Sequence, residues 1–170
     1  MGLFSGLFKG ASNSDGGSSS RDVVLAPVAG TVVSLEEVPD QVFSTGMLGK
    51  GCGIEPTDGV LVAPVAGTLT ALFPTLHAVG VSGDDGVEVL VHIGVDTVEM
   101  GGDGFAAFAA KGDHVEAGQK LVSFDREKIA AAGHPDTVMV VISNTSEFSD
   151  VDVLAKGAVA AGDQLVRVSR

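Results

Sequence analysis

The chain has no tryptophan, no tyrosine, one cysteine, and only 10 lysines and arginines against 22 aspartates and glutamates. Each shortage closes a class of function. A lone Cys52 cannot form an internal disulfide, and the start of the chain lacks a basic region followed by a long apolar core and a cleavage site. A reducing, cytoplasmic location is therefore expected. The net charge of −12 repels phosphate backbones, which argues against nucleic-acid binding and favours partners that present Arg or Lys. At 170 residues the chain fits one domain able to bury roughly 70% of its unfolded surface, so it needs no disulfide or metal staple.

What is plentiful is glycine, 24 residues, together with valine and eight phenylalanines. That mixture suits a β protein with many tight turns rather than a helical bundle. The central stretch is Gly86 to Met100, GVEVLVHIGVDTVEM. Val87, Val89, Val91, Ile93 and Val95 alternate with Glu88, Leu90, His92, Gly94 and Asp96, a period of two that predicts a half-buried strand. His92 falls on the face not committed to the core, and Gly94 leaves room beside it for a ligand.

Two segments repeat. APVAGT occurs at Ala26–Thr31 and again at Ala63–Thr68, each before an alternating apolar run, and VEAGQKLVSF at Val115–Phe124 is echoed by VAAGDQLVRV at Val159–Val168. These are turn-plus-strand units, so the expected fold is mostly β: an antiparallel β-sandwich or flattened barrel with internal duplication and one or few short helices. One internal helix is predicted over Asp125–Gly133, ended by Gly133 and Pro135. The segment between the first repeats, EEVPDQVFSTGMLGKGCGIEP, reads as a loop that offers Val42 and Phe43 beside Asp40 as a docking surface, with Phe43 folded back onto the core as the alternative. Its Gly49-Lys50-Gly51 lacks the spacing of a phosphate-binding loop.

Residues 1–10 place Leu3, Phe4, Leu7 and Phe8 on one apolar face of a short helix, too short to span a bilayer and suited to lying on a membrane surface or docking to a membrane protein. Residues 11–21 are nearly all small and polar and read as a flexible linker. The folded domain is expected over 22–170.

Of the four histidines, His114 falls in a polar turn and His134 follows the predicted helix just before Pro135, and both read as solvated. His77 differs. Thr75, two residues earlier, can reach its Nδ1 and fix the tautomer, leaving Nε2 free.

GVEVLVHIGVDTVEM, FPTLHAV, VPDQVF, the APVAGT segments and VVISN at Val140–Asn144 together resemble the glucose-family IIA component of the bacterial phosphoenolpyruvate-dependent sugar phosphotransferase system. The resemblance covers nearly the whole chain, and its His-x-Gly-x-Asp-Thr core is specific. It implies an antiparallel β-sandwich and a phosphotransferase component acting as a histidine phosphocarrier. His92 would take a phosphoryl group from phospho-HPr and pass it to a cysteine on the IIB domain of a sugar permease. By position, His77 is the second histidine, Thr75 the hydroxyl that orients it, and Gly94 the source of a carbonyl near His92. Asp40, Val42, Phe43, Phe73, Asp96 and Val98 match the docking rim. The resemblance also implies regulatory partners among permeases, kinases or a cyclase, and a site at the inner face of the membrane. Within the family a polar residue can occupy the place of Leu76, and a Phe that of Val79.

The chemistry agrees with that implication. An imidazole with pKa near 6.5 is mostly neutral at pH 7 and attacks phosphorus without a separate base. A second histidine can donate to the phosphoryl oxygens, and positioning with charge neutralisation is most of what phosphoryl transfer needs. Few Lys or Arg lie nearby in sequence, so positive charge would come from partners steered by Asp40 and Asp96. No cofactor is required.

Three other readings stand beside it. A zinc hydrolase is suggested by His92-x-x-x-Asp96, but four residues of strand span about 13 Å, and no third close ligand is visible. A milder form is an intermolecular zinc site, with His77 and His92 supplying nitrogens and a bound protein a carboxylate. A swinging-arm carrier lacks its lysine at a hairpin tip, and a purely regulatory binding protein without phosphotransfer would use the same surface.

Overall fold

The computed structural model describes residues 22–170, so the apolar segment 1–10 and the linker 11–21 lie outside the described residues. The first half of the domain forms β1 (Val23–Leu25), β2 (Gly30–Ser34), β3 (Lys50–Pro56), β4 (Val60–Val62), β5 (Gly67–Leu72), β6 (Ala78–Gly83) and β7 (Glu88–Ile93). The second half forms β8 (Phe105–Ala107), β9 (His114–Val115), β10 (Lys120–Phe124), β11 (Val138–Ile142), β12 (Asp150–Val153), β13 (Gly157–Val159) and β14 (Gln164–Ser169). Two short helices interrupt them, α1 (Gln41–Ser44) and α2 (Arg126–Ala131).

Eight strands make one antiparallel sheet in the order β13-β2-β3-β11-β7-β6-β5-β9, and two three-stranded sheets, β1-β14-β12 and β4-β10-β8, complete a sandwich-like architecture. The main core contains Val89, Val91 and Ile93 of β7 with Val138, Val140 and Ile142 of β11, together with Val24, Leu61, Leu121 and Leu165 from the small sheets. The period of two thus sends one side of each strand inward. On the opposite face Met139 and Val141 of β11 join Leu35, Val38, Phe43 and Val95 in a second cluster. Strand β11 is buried along its whole length, which is why its sequence, VMVVI, shows no alternation.

The repeats are structural as well as sequential. Leu25 N donates to Pro64 O at 2.9 Å and Val62 N to Pro27 O at 2.8 Å, so each APVAGT segment holds the strand that leads into the other. Ala26 N to Asp163 O at 2.7 Å is matched by Ala63 N to Gln119 O at 2.8 Å. Gly30 and Gly67, the repeated glycines, sit where a Cβ would strike the carbonyls of Glu55 and Ser82 on the adjacent strands. Only a residue without a side chain lets the backbones approach this closely.

Two expectations need correction. The alternating pattern running to Val95 does not stay extended; β7 ends at Ile93, and Gly94 (φ 78°) and Asp96 (φ 61°) turn the chain into a 3-10 turn at Thr97–Met100. The segment EEVPDQVFSTGMLGKGCGIEP, read as a loop, instead begins in a 3-10 turn at Leu35–Glu37, continues through α1 and ends as strand β3, Lys50–Pro56, which pairs with β2 and β11. Asp40 caps α1, its Oδ1 accepting from Val42 N at 3.0 Å. A helix of four residues has too few positions to show a periodicity, so the sequence pattern missed it. The helix expected over Asp125–Gly133 is present as α2, with Asp125 just outside as its cap, accepting from Glu127 N and Lys128 N.

Candidate functional site

His92 lies on the β7 face opposite the main core, paired with Met139 of β11 on one side and Ala78 of β6 on the other. Its Nδ1 lies 2.8 Å from the Gly94 carbonyl oxygen. A carbonyl only accepts, so Nδ1 carries the proton and Nε2 keeps its lone pair. The turn at Gly94 makes this bond: a strand continuing straight would carry that carbonyl away from the ring along the strand direction.

His77 precedes β6, and its Nδ1 is hydrogen-bonded to the Thr75 hydroxyl. Leu76 between them is in the left-handed region at φ 61°, a costly conformation for a branched apolar residue that bends Thr75 back over the ring. The two imidazoles meet edge to face, 4.9 Å between centroids and 77° between planes. Phenylalanines flank the pair, Phe43 at 5.1 Å from His92 and Phe73 at 5.2 Å from His77. His92 is half-buried as a residue, and His77 is only 6% exposed.

Both imidazoles have pKa values lowered from 6.5. For His92 burial is the main cause, opposed by the Gly94 carbonyl and the charges of Asp40 and Asp96. For His77 burial again leads, followed by repulsion from a charged His92. Both rings are therefore neutral at pH 7.

Val42, Phe73 and Val98 are exposed, as is Asp96, and Asp40 is half-buried. Phe43 does not share that exposure. At 3% exposed it is part of the second cluster, and its ring backs His92 instead of standing free for a partner. The α1 helix explains the difference, since Val42 and Phe43 are consecutive and point to different sides. His134, expected to be solvated, is half-buried, with Nε2 3.9 Å from Glu99 Oε1 on the 3-10 turn. His114 is exposed, as expected, and pairs with Asp84 at 2.8 Å. Among the described residues no group of three or more His, Cys, Asp or Glu could hold a metal ion, so the hydrolase reading finds no third ligand. Two grooves, about 410 and 550 Å³, lie elsewhere, and neither histidine of the pair lines them.

Residues 22–148 match the family model described as phosphoenolpyruvate-dependent sugar phosphotransferase system, EIIA 1. The chain belongs to this EIIA family. Its relatives include the beta-glucoside-specific EIIBCA component of Halalkalibacterium halodurans, 41% identical over 154 residues, covering 91% of this chain and 24% of that protein. The chain thus spans about a quarter of that longer EIIBCA relative. The glucose-specific EIIA component of Bacillus cereus is 40% identical over 147 residues, covering 86% of this chain and 89% of that protein. Among solved structures, glucose permease IIA from Mycoplasma capricolum superimposes with a TM-score of 0.78 at 39% identity, covering 85% of this chain and 93% of that one. Among the described residues of this EIIA chain no helix is long and apolar enough to cross a membrane.

Thr97 closes the His-x-Gly-x-Asp-Thr core, but the sequence pattern assigns it no role and does not single out Thr137 at all; both are buried polar residues beside the site. A threonine directly after a His-x-Gly-x-Asp run is the available signal for the first. Nothing local marks the second, because its contacts to Glu55 and Gly94 cross between strands.

Proposed function

We propose that this chain is the phosphocarrier of a sugar phosphotransferase system, with His92 as the acceptor. The observation that carries the reading is the edge-to-face pair of imidazoles, each with Nδ1 already engaged. The lone pair of His92 Nε2 attacks phosphorus of phosphohistidine on HPr, a new N–P bond forms, and the donor's N–P bond breaks with its imidazole as leaving group. His77 Nε2, carrying a proton, donates to a phosphoryl oxygen and offsets charge that His92 alone would leave unpaired. In the second half-reaction a thiolate on the permease's IIB domain attacks the same phosphorus, and the pair on nitrogen returns to His92.

The name of the EIIBCA relatives supports a IIB acceptor, since it joins B, C and A parts in one protein. The sugar is handled by the permease, so the chemistry here is the same for glucose and beta-glucoside systems. Exposed Val42, Phe73 and Val98 give partners an apolar contact, and Asp40 and Asp96 attract their basic groups. A zinc ion fits only as an intermolecular site, with two Nε2 atoms from this chain and the remaining ligands from a bound protein.

Labelling with phosphoenolpyruvate, the system's first enzyme and HPr tests the reading. One acid-labile, base-stable phosphoryl group per chain is expected, absent in His92→Gln. Full labelling of that variant refutes the assignment.

A further inference from the structure

The His92 ring is oriented by one carbonyl, and that carbonyl belongs to a glycine, Gly94, whose positive φ of 78° few other residues adopt. Left alone, a glycine in a turn is the residue most free to rotate its peptide planes, and such a rotation would take the acceptor away from His92 Nδ1. Here both planes are held. In the peptide joining Ile93 to Gly94, the Ile93 carbonyl accepts from the Thr97 hydroxyl and the Gly94 N–H donates to Thr137 O at 2.8 Å. In the peptide joining Gly94 to Val95, the Gly94 carbonyl accepts from His92 and the Val95 N–H donates to Pro135 O at 3.0 Å.

Three of these four ties involve backbone or the histidine itself. The fourth is a side chain, Thr97, which is 0% exposed. Its methyl Cγ2 also fills the space where a Cβ on Gly94 would stand. A fully buried hydroxyl is retained at a cost unless it is bonded, and this one is spent on the peptide next to the ring. Through Ile93 the tie reaches the second histidine as well, because Ile93 N donates to the His77 carbonyl at 2.7 Å.

We propose that Thr97 is a positioning residue for phosphoryl transfer: its hydroxyl locks the Ile93–Gly94 peptide, keeping the Gly94 carbonyl on His92 Nδ1 and the His92 lone pair on Nε2. The proposal rests on reading His92 as the phosphoryl acceptor, but its first readout does not.

The test compares Thr97→Val, which removes the hydroxyl and keeps the shape, with Thr97→Ser, which keeps the hydroxyl. Nitrogen-15 NMR of the His92 ring should show a single Nδ1–H tautomer in the wild type and in Thr97→Ser, and a mixture of tautomers in Thr97→Val. Phosphorylation by HPr should fall at least about tenfold in Thr97→Val alone, the scale expected when a reacting group loses its fixed orientation. A wild-type tautomer in Thr97→Val, or an equal loss in both variants, overturns the proposal, since the second result belongs to packing alone. Should Thr97→Val not fold, the Thr97 hydroxyl proton of the wild type decides. It should exchange slowly enough to be seen by NMR, as a hydroxyl bonded to the Ile93 carbonyl would, and exchange as fast as that of an exposed threonine overturns the lock. A wild-type chain that HPr does not label sinks the acceptor reading while leaving the tautomer measurement intact.

Discussion

The rings of His77 and His92 touch edge to face at 4.9 Å although only His92 lies in a strand: Ala78, the first residue of β6, is the cross-strand partner of His92, and His77 sits just before it, beyond the left-handed residue Leu76. Strand alternation would turn residue 77 away from the face of Ala78 and His92, so the pair depends on His77 lying outside β6 as well as on the β6–β7 register. For His77→Gln we expect labelling by HPr to persist, because Nε2 of His92 is unaltered. Transfer onward to the IIB domain should fall by about two orders of magnitude or more, the scale attached to losing a donor that stabilises transition-state charge. Rapid-quench measurement of both half-reactions checks this, and normal onward transfer removes His77 from the mechanism.

Burial depresses both imidazoles, and the sign of the resulting pH effect follows. In the unfolded chain each ring has the ordinary pKa of about 6.5, whereas in the folded chain it holds its proton less well. Below that value the unfolded state binds more protons than the folded state, so stability falls as the pH drops from 6.5 toward the lowered values. Above 6.5 both states are neutral and the contribution is complete. Denaturant unfolding at a series of pH values should show a steeper acid loss in the wild type than in the His77→Gln, His92→Gln double variant. Parallel curves would mean that the rings are not desolvated. Acceptance of phosphate should decline on the same side, since a protonated His92 has no lone pair to offer.

Val42 and Phe43 are neighbours in α1 but should behave oppositely when truncated. Phe43→Ala empties a place in the second cluster and should destabilise the domain by about 3–5 kcal/mol. Val42→Ala removes exposed surface and should cost less than about 0.5 kcal/mol, while weakening partner binding. Chemical denaturation and titration with HPr separate the two effects. A stable Phe43→Ala domain would return that ring to the rim.

The period of two in β7 and the duplicated APVAGT segments were enough to read the sandwich and to put His92 outside its core, since both are local patterns with one physical interpretation. The Thr75–His77 bond was legible for the same reason, being a contact over two residues. What the pattern hid was conformational. The turn at Gly94 and Asp96 depends on acceptors at Pro135 and Thr137, far along the chain, so an alternating apolar position at Val95 looked like more strand. Phe43 was ambiguous because an apolar ring in a short segment shows no periodicity until α1 is known. His134 looked solvated from its place between the helix end and Pro135, and it is half-buried because the segment after α2 lies near the 3-10 turn that carries Glu99.

Asp96 combines a charge on the rim with an unusual backbone, and any test of steering must separate them. At φ 61° it is one of the non-glycine residues in the left-handed region, where Asn and Asp are tolerated and longer side chains are strained. Replacement by Arg would therefore confound a charge change with a conformational one. Asp96→Asn removes the charge while remaining suited to the turn. If the carboxylate draws basic partners toward His92, the association rate with HPr at low ionic strength should drop several-fold, and the difference from wild type should shrink as salt shortens the Debye length from about 30 Å at 0.01 M to about 8 Å at 0.15 M. The dissociation rate should move little, because a rim charge acts before contact. Stopped-flow association across that salt series provides the measurement; a deficit that persists unchanged at high salt would point to a direct contact and end the steering account.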